Sequence, residues 1–158
     1  MDVGSIVQIN VSRGGVPKLP VAEARVGPLG IEGDGHHDTE NHGGPERALC
    51  LYSLERIEAL RAEGHPISPG AAGENVTIRG LDWERVQPGS FLRLGDAVLI
   101  EVTRFTTPCK TIRACFLDGD FNRIHHKLYP GWSRVYARVL EGGTIRPGDP
   151  VTLLDGVP

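Results

Sequence analysis

Long hydrophobic runs are missing from this chain: nowhere in its 158 residues does an apolar stretch approach the roughly 18 that a membrane-crossing helix needs. A membrane is therefore not an expected partner. The opening Met1-Asp2-Val3-Gly4-Ser5-Ile6 places no basic stretch ahead of an apolar core, so no secretory signal is expected. Blocks of positive charge are missing as well. The formal net charge is −3 and the cations are scattered, which leaves no electrostatic footprint for nucleic acid. Cysteine is scarce and odd in number, three in all, which excludes a disulfide framework. A reducing compartment, the cytoplasm by default, is the expected location.

What is present suits a soluble globular protein: 39% hydrophobic residues and 23% charged ones, enough to build one domain over residues 1–158 without staples. Glycine and proline, 21 and 12 residues, are scattered between short runs and favour many turns and short strands over long helices. Alternating or short apolar runs predict strands at 5–11, 21–26, 48–52, 75–79, 91–94, 97–103, 133–140 and 151–154. Gly95-Asp96 joins two of these as a hairpin. Ser53 caps a helix through Leu54, Ile57 and Leu60 that Gly64 ends, and residues 112–128 read as one or two short helices. About seven strands with two or three short helices, and no regular alternation between them, argue against a doubly wound sheet. A mainly β fold, a mixed β-barrel closed or partly open with helical insertions, is expected instead.

Chemistry is concentrated in a few places. Cys109, in Thr-Thr-Pro-Cys-Lys, follows the most strand-like run, and Pro108 stops pairing there. The thiol is thus delivered at a strand end, with Lys110 adjacent and Arg104 five residues back. Nearby cations favour the thiolate, the form that attacks or binds metal, whereas the bland alternative is a small residue filling a loop. The segment 30–47 is polar, rich in glycine and histidine, and aperiodic, as functional loops often are. Its Asp34, His36, His37, Asp38 and His42 are candidate ligands for zinc or iron, though Asp34, Asp38 and Asn41 can equally bond their own turns. Gly43-Gly44 lets backbone amides approach an anion, and Arg47 can fork onto phosphate or a pterin-type carbonyl. Gly70-Ala71-Ala72-Gly73-Glu74-Asn75 permits close approach to a ligand or forms a plain tight turn. His125-His126, beside Asn122 and Arg123, fits a solvated or capping pair better than a ligand. Cys50, among apolar strand residues, reads as inert core, and Cys115 lacks the spacing of a redox partner for Cys109.

Read in order, these stretches resemble the MOSC domain, named after the C-terminal domain of molybdenum cofactor sulfurase. The matching stretches are Gly33-Asp34 with His42-Gly43-Gly44-Pro45-Glu46-Arg47-Ala48, and Gly70 with Gly73-Glu74-Asn75-Val76-Thr77. Further along come Leu94-Gly95-Asp96-Ala97-Val98-Leu99 leading to Pro108-Cys109, then Gly142-Gly143-Thr144-Ile145 with Gly148-Asp149. The resemblance spans about residues 21–154. It implies a mixed β-barrel, of the kind shared with pyruvate-kinase-like barrels, that binds molybdenum cofactor or a related sulfur-bearing metal centre. It makes Cys109 the expected molybdenum ligand or sulfur carrier. Asp34, His42, Gly43, Gly44, Arg47, Gly73, Glu74, Asn75 and Arg104 become the expected cofactor-binding set. Larger members carry a cysteine desulfurase domain or a companion barrel. Here neither is read, and none of the three lysines sits where a Schiff base to pyridoxal phosphate is expected. A separate electron donor or cysteine desulfurase is the expected partner, beside a small-molecule substrate. Four functions follow as expectations: a molybdenum-dependent reductase of N-hydroxylated compounds, a persulfide carrier, a non-catalytic cofactor carrier, and a zinc hydrolase built on His36, His37 and His42.

Overall fold

The computed structural model describes residues 2–35 and 44–158. Among them run β1 (Asp2–Val11), β2 (Leu19–Val21), β3 (Ala24–Gly27), β4 (Gly30–Ile31), β5 (Leu49–Ser53), α1 (Leu54–Ala62) and β6 (Val76–Arg79). The second half supplies β7 (Phe91–Leu94), β8 (Val98–Phe105), β9 (Val135–Glu141), β10 (Gly143–Ile145) and β11 (Pro150–Leu153). Seven strands close a ring in the order β11-β7-β8-β9-β5-β6-β1, with β1 pairing back onto β11. Closure leaves few unpaired edges, which is how an all-strand core avoids exposing a template for aggregation. The expected mainly β, mixed barrel is thus the observed one. Among the described strands the mixed character comes from one pair: β5 and β6 run parallel, and α1 with the segment after it forms the crossover that a parallel pair requires.

Ser53 ends β5 and caps α1, accepting a hydrogen bond from the Arg56 amide at 3.2 Å. Such a cap contributes about 1 kcal/mol to a helix. Ile57 and Leu60 bury the helix face against the barrel, and Gly64, at φ +102°, turns the chain away. The barrel interior is filled by side chains such as Ile6, Leu51, Ile78, Leu94, Ile100 and Val151, each 2% exposed or less.

Two local expectations are corrected. The single strand expected at 21–26 is two strands. β2 pairs with β1 in the barrel while β3 pairs with β10 and β4 in a separate three-stranded sheet, so the chain bends between them. Residues 112–128, expected as one or two helices, instead carry short 3-10 segments at Lys110–Cys115, Leu117–Gly119 and Phe121–Ile124. Asp118 at φ +55° breaks the run, so no α-helix propagates there.

Candidate functional site

Strand register assembles the site. Cys50 of β5 lies opposite Tyr136 of β9, which lies opposite Arg104 of β8. Directly paired residues project from the same face of a sheet, so these three side chains form a row. Leu49 and Leu51, either side of Cys50, point the other way into the core. An irregularity in β8 between Val102 and Arg104 skips Thr103 and brings Arg104 into register with Tyr136. Bulges commonly re-aim a side chain in this way beside functional sites.

The row forms one wall of a cavity of about 610 Å³, a size suited to a small molecule or cofactor. Asn75 and Arg134 continue that wall, the 107–112 turn supplies Cys109 and Lys110, and Lys18 and Gly73 approach from elsewhere. Among the described lining residues, five are cations (Lys18, Arg47, Arg104, Lys110, Arg134) and none is a carboxylate. Lys18 is paired with Asp34 at 2.7 Å and Arg104 with Glu46 at 3.2 Å. Such a lining concentrates positive potential in a partly enclosed space and favours an anionic guest.

Cys109 is half-buried, lines this cavity, and caps the 3-10 segment that begins at Lys110. Its Sγ lies 2.8 Å from the Thr111 hydroxyl. The geometry places the thiol in the cavity wall rather than in packed hydrocarbon. The other two thiols differ. Cys50 lines the same cavity but is 6% exposed, and burial pushes its thiol pKa up. Cys115 is buried, its Sγ 3.3 Å from the Ala71 carbonyl, and burial raises its pKa too. Burial also pushes Tyr136 up to about 12, so at neutral pH its phenol keeps its proton.

Asp34 and Asn75 act as the fasteners of the site. Asp34, with a side chain 2% exposed, receives Lys18 Nζ on both oxygens at 2.7 and 2.8 Å, the Ser12 amide at 3.0 Å and Asn75 Nδ2 at 2.9 Å. Asn75 Oδ1 accepts the Cys50 amide at 2.9 Å. This chain of bonds ties the start of the 30–47 segment to β5 and the cavity wall. Gly70 is pinned in the same corner at φ +83°, where a Cβ would meet the Lys18 carbonyl oxygen at 2.4 Å.

The other expected residues fall in different places. Arg47 lines the cavity with its guanidinium 5.6 Å from the Tyr136 ring centroid. Gly44, at φ +81°, precedes the 3-10 turn Pro45–Arg47 and is not among the described lining residues. Glu74 is fully buried behind the cavity, one oxygen accepting from Thr77 at 3.1 Å. His36, His37, Asp38, Asn41, His42 and Gly43 lie outside the described residues. Among the described residues no three His, Cys, Asp or Glu side chains come together as a metal-holding group. His126 stacks on Phe105, a lining residue, at 4.9 Å and on His125 at 5.0 Å, and burial lowers its pKa. Arg123 is sandwiched between Tyr129 and Trp132 and paired with Glu63, which makes it a structural brace. Sequence reading missed Lys18 and Arg134. A cation immediately before the apolar run Val135-Tyr136-Ala137 was the one available mark of Arg134, and Lys18 carried none.

A closed mixed barrel with a cation-lined cavity and a thiol in its wall defines the class of protein. The chain belongs to the MOSC family: the MOSC domain model matches residues 38–152. It is 37% identical to YflK of Bacillus subtilis (strain 168) over 125 residues, covering 78% of this chain and 55% of that protein. A fungal protein named Reductase, from Gibberella moniliformis (strain M3125 / FGSC 7600), is 34% identical over 141 residues, 86% of this chain and 24% of its own length. The chain therefore spans little more than half of the first relative and about a quarter of the second. Among solved structures, YiiM from Geobacillus stearothermophilus superposes with a TM-score of 0.76 at 30% identity, covering 96% of this chain and 75% of its own. No helix among the described residues is long and apolar enough to cross a membrane.

Proposed function

We propose that this chain binds molybdenum cofactor, with Cys109 as the protein's ligand to the metal, and serves reduction of a small N-hydroxylated substrate. The observation that carries the reading is a half-buried thiol in the wall of a cavity whose described lining holds five cations and no carboxylate. The donor set fits the cofactor. A soft thiolate suits molybdenum beside dithiolene sulfur, and cations suit a guest that brings negative charge. When bound, the cofactor supplies a redox-active metal.

The chain's own residues do the rest. The Thr111 hydroxyl is placed to donate to the Cys109 sulfur and so orient it. Arg47 and Arg104 offer planar forks to the guest, and Gly73 lets backbone approach it. Asn75, fixed by Asp34 and the Cys50 amide, holds its wall in place. Electrons come from a separate donor protein, a reading supported by a relative called Reductase that is much longer than this chain. Three free cysteines suit a reducing cytoplasm.

The half-exposed position of Cys109, against two buried thiols, also favours a second reading, a persulfide carrier that takes sulfur from a cysteine desulfurase. Incubation with a desulfurase and cysteine is then expected to add sulfur to Cys109, read by peptide mass spectrometry. Label on Cys50, or none, rules that reading out. For the main proposal, metal and pterin are quantified on protein freshly isolated from a host that makes the cofactor. About one molybdenum per chain is expected. Zinc alone, stoichiometric and surviving dialysis, overturns it in favour of a hydrolase using His36, His37 and His42.

A further inference from the structure

Two neighbouring side chains of β8 close on one residue. In a regular strand Thr103 and Arg104 would face opposite sides of the sheet. The irregularity between Val102 and Arg104 leaves Thr103 outside the ladder, and both side chains reach Glu46. The Thr103 hydroxyl donates to the Glu46 carbonyl at 2.5 Å, with the Tyr136 carbonyl farther off at 3.3 Å. Arg104 Nη2 meets the Glu46 carboxylate at 3.2 Å. That ion pair is exposed, its side chains 46% and 65%, and is worth little by itself. The hydroxyl bond differs because it acts on backbone. Glu46 is the middle residue of the Pro45–Arg47 turn, which closes through the Arg47 amide on the Gly44 carbonyl at 3.1 Å. A three-residue 3-10 turn with no buried side chain has little of its own to hold it, so an external tie decides where it sits.

The residue after Glu46 is Arg47, in the cavity wall with its guanidinium 5.6 Å from the Tyr136 ring centroid. We propose that Thr103 is a positioning residue for the cavity's guest: by pinning the Glu46 carbonyl it sets the turn that presents the Arg47 charge to an anion. Thr103 is not among the described lining residues, so it acts through the turn and not by touching the guest. A methyl in place of the hydroxyl keeps the shape of the bulge and releases the carbonyl, whereas serine keeps the donor. The inference rests on reading the cavity as a site for an anionic guest, and not on the guest carrying a metal.

The test uses the full chain without cofactor and reads the charge that faces Cys109. Iodoacetate and iodoacetamide both alkylate the thiolate with loss of iodide. The ratio of their rates is therefore independent of thiol ionisation and reports local charge. It is measured on the Cys109 peptide by mass spectrometry and divided by the same ratio in the urea-unfolded chain. The folded parent is expected to favour the anionic reagent. Thr103→Val should lower that preference about threefold and Arg47→Gln at least as much, while Thr103→Ser should stay near the parent. Thr103→Val combined with Arg47→Gln should match Arg47→Gln alone, because the threonine works through that charge. Hydrogen exchange at the Arg47 amide should also quicken in Thr103→Val. A preference unchanged in Thr103→Val, or lowered further by it in the Arg47→Gln background, overturns the proposal. An anionic preference that depends on Thr103 in a chain that never acquires molybdenum would leave this inference standing and sink the metal reading. Full molybdenum loading in a parent that shows no anionic preference would do the reverse.

Discussion

Asp34→Ala is expected to lower the folding free energy by about 3–5 kcal/mol, the cost of breaking a buried ion pair from one side. Its carboxylate meets four donor contacts in a site where the Asp34 and Lys18 side chains are 2% and 8% exposed. Removing it strands the Lys18 ammonium away from water and leaves Asn75 Nδ2 only its longer bond to the Asn10 carbonyl, although the same amide group also positions the Cys50 backbone. The pair itself is worth less than this loss, because both charges were desolvated to form it. Lys18→Met combined with Asp34→Asn should therefore cost clearly less than Asp34→Ala alone. Urea unfolding followed by tryptophan fluorescence reads both. For a chain this size, with a slope of about 1–3 kcal/mol per molar, the midpoint of Asp34→Ala should fall by more than about 1 M. A shift too small to measure would mean that Asp34 is not the fastener described.

The second large effect is a reversal in pH dependence. Burial raises the pKa of Glu74, opposed in part by neighbouring hydrogen-bond donors and by the Arg134 charge. The folded chain therefore holds this proton more tightly than the unfolded chain does. Below the ordinary glutamate range both states are protonated and the residue's contribution is fully present. As pH rises past that range the unfolded state releases its proton first, and stability falls by up to about 1.4 kcal/mol per pH unit until the folded-state value is passed. Glu74→Gln removes this titration while keeping the shape. The stability of Glu74→Gln relative to the parent should increase from pH 4 to pH 7. A difference that stays flat or declines over that range would show that Glu74 is charged in the fold, balanced by Arg134. Cys50, Tyr52 and Cys115, which also feel the Glu74 charge, are raised by burial and stay neutral throughout.

Much of the barrel was legible in the sequence because its strands are short, apolar and bounded by glycine or proline. The hairpin through Gly95-Asp96 and the Ser53 cap are local signals, and each forms where the residues predict it. The split between β2 and β3 was not legible, because it depends on which distant strand each half pairs with. Position 109 was readable for a local reason: proline ends pairing and hands the next side chain to a loop. Arg134 and Lys18 escaped because their importance comes from burial beside residues remote in sequence, such as Ala72 and Asp34. Glu74 shows the opposite error of scale. Its motif marks the right corner of the molecule, yet the side chain is turned away from the cavity into the interior, where it supports the wall.

The account stands or falls on one sulfur. Molybdenum content is measured on the parent, on Cys109→Ala and on Cys115→Ser, all isolated from the same cofactor-producing host. Cys115→Ser keeps a donor for the Ala71 carbonyl and does not touch the cavity lining, so it should match the parent. Cys109→Ala should fold normally and lose most of the metal. Equal molybdenum in Cys109→Ala and the parent would contradict the assignment of that thiol as the ligand.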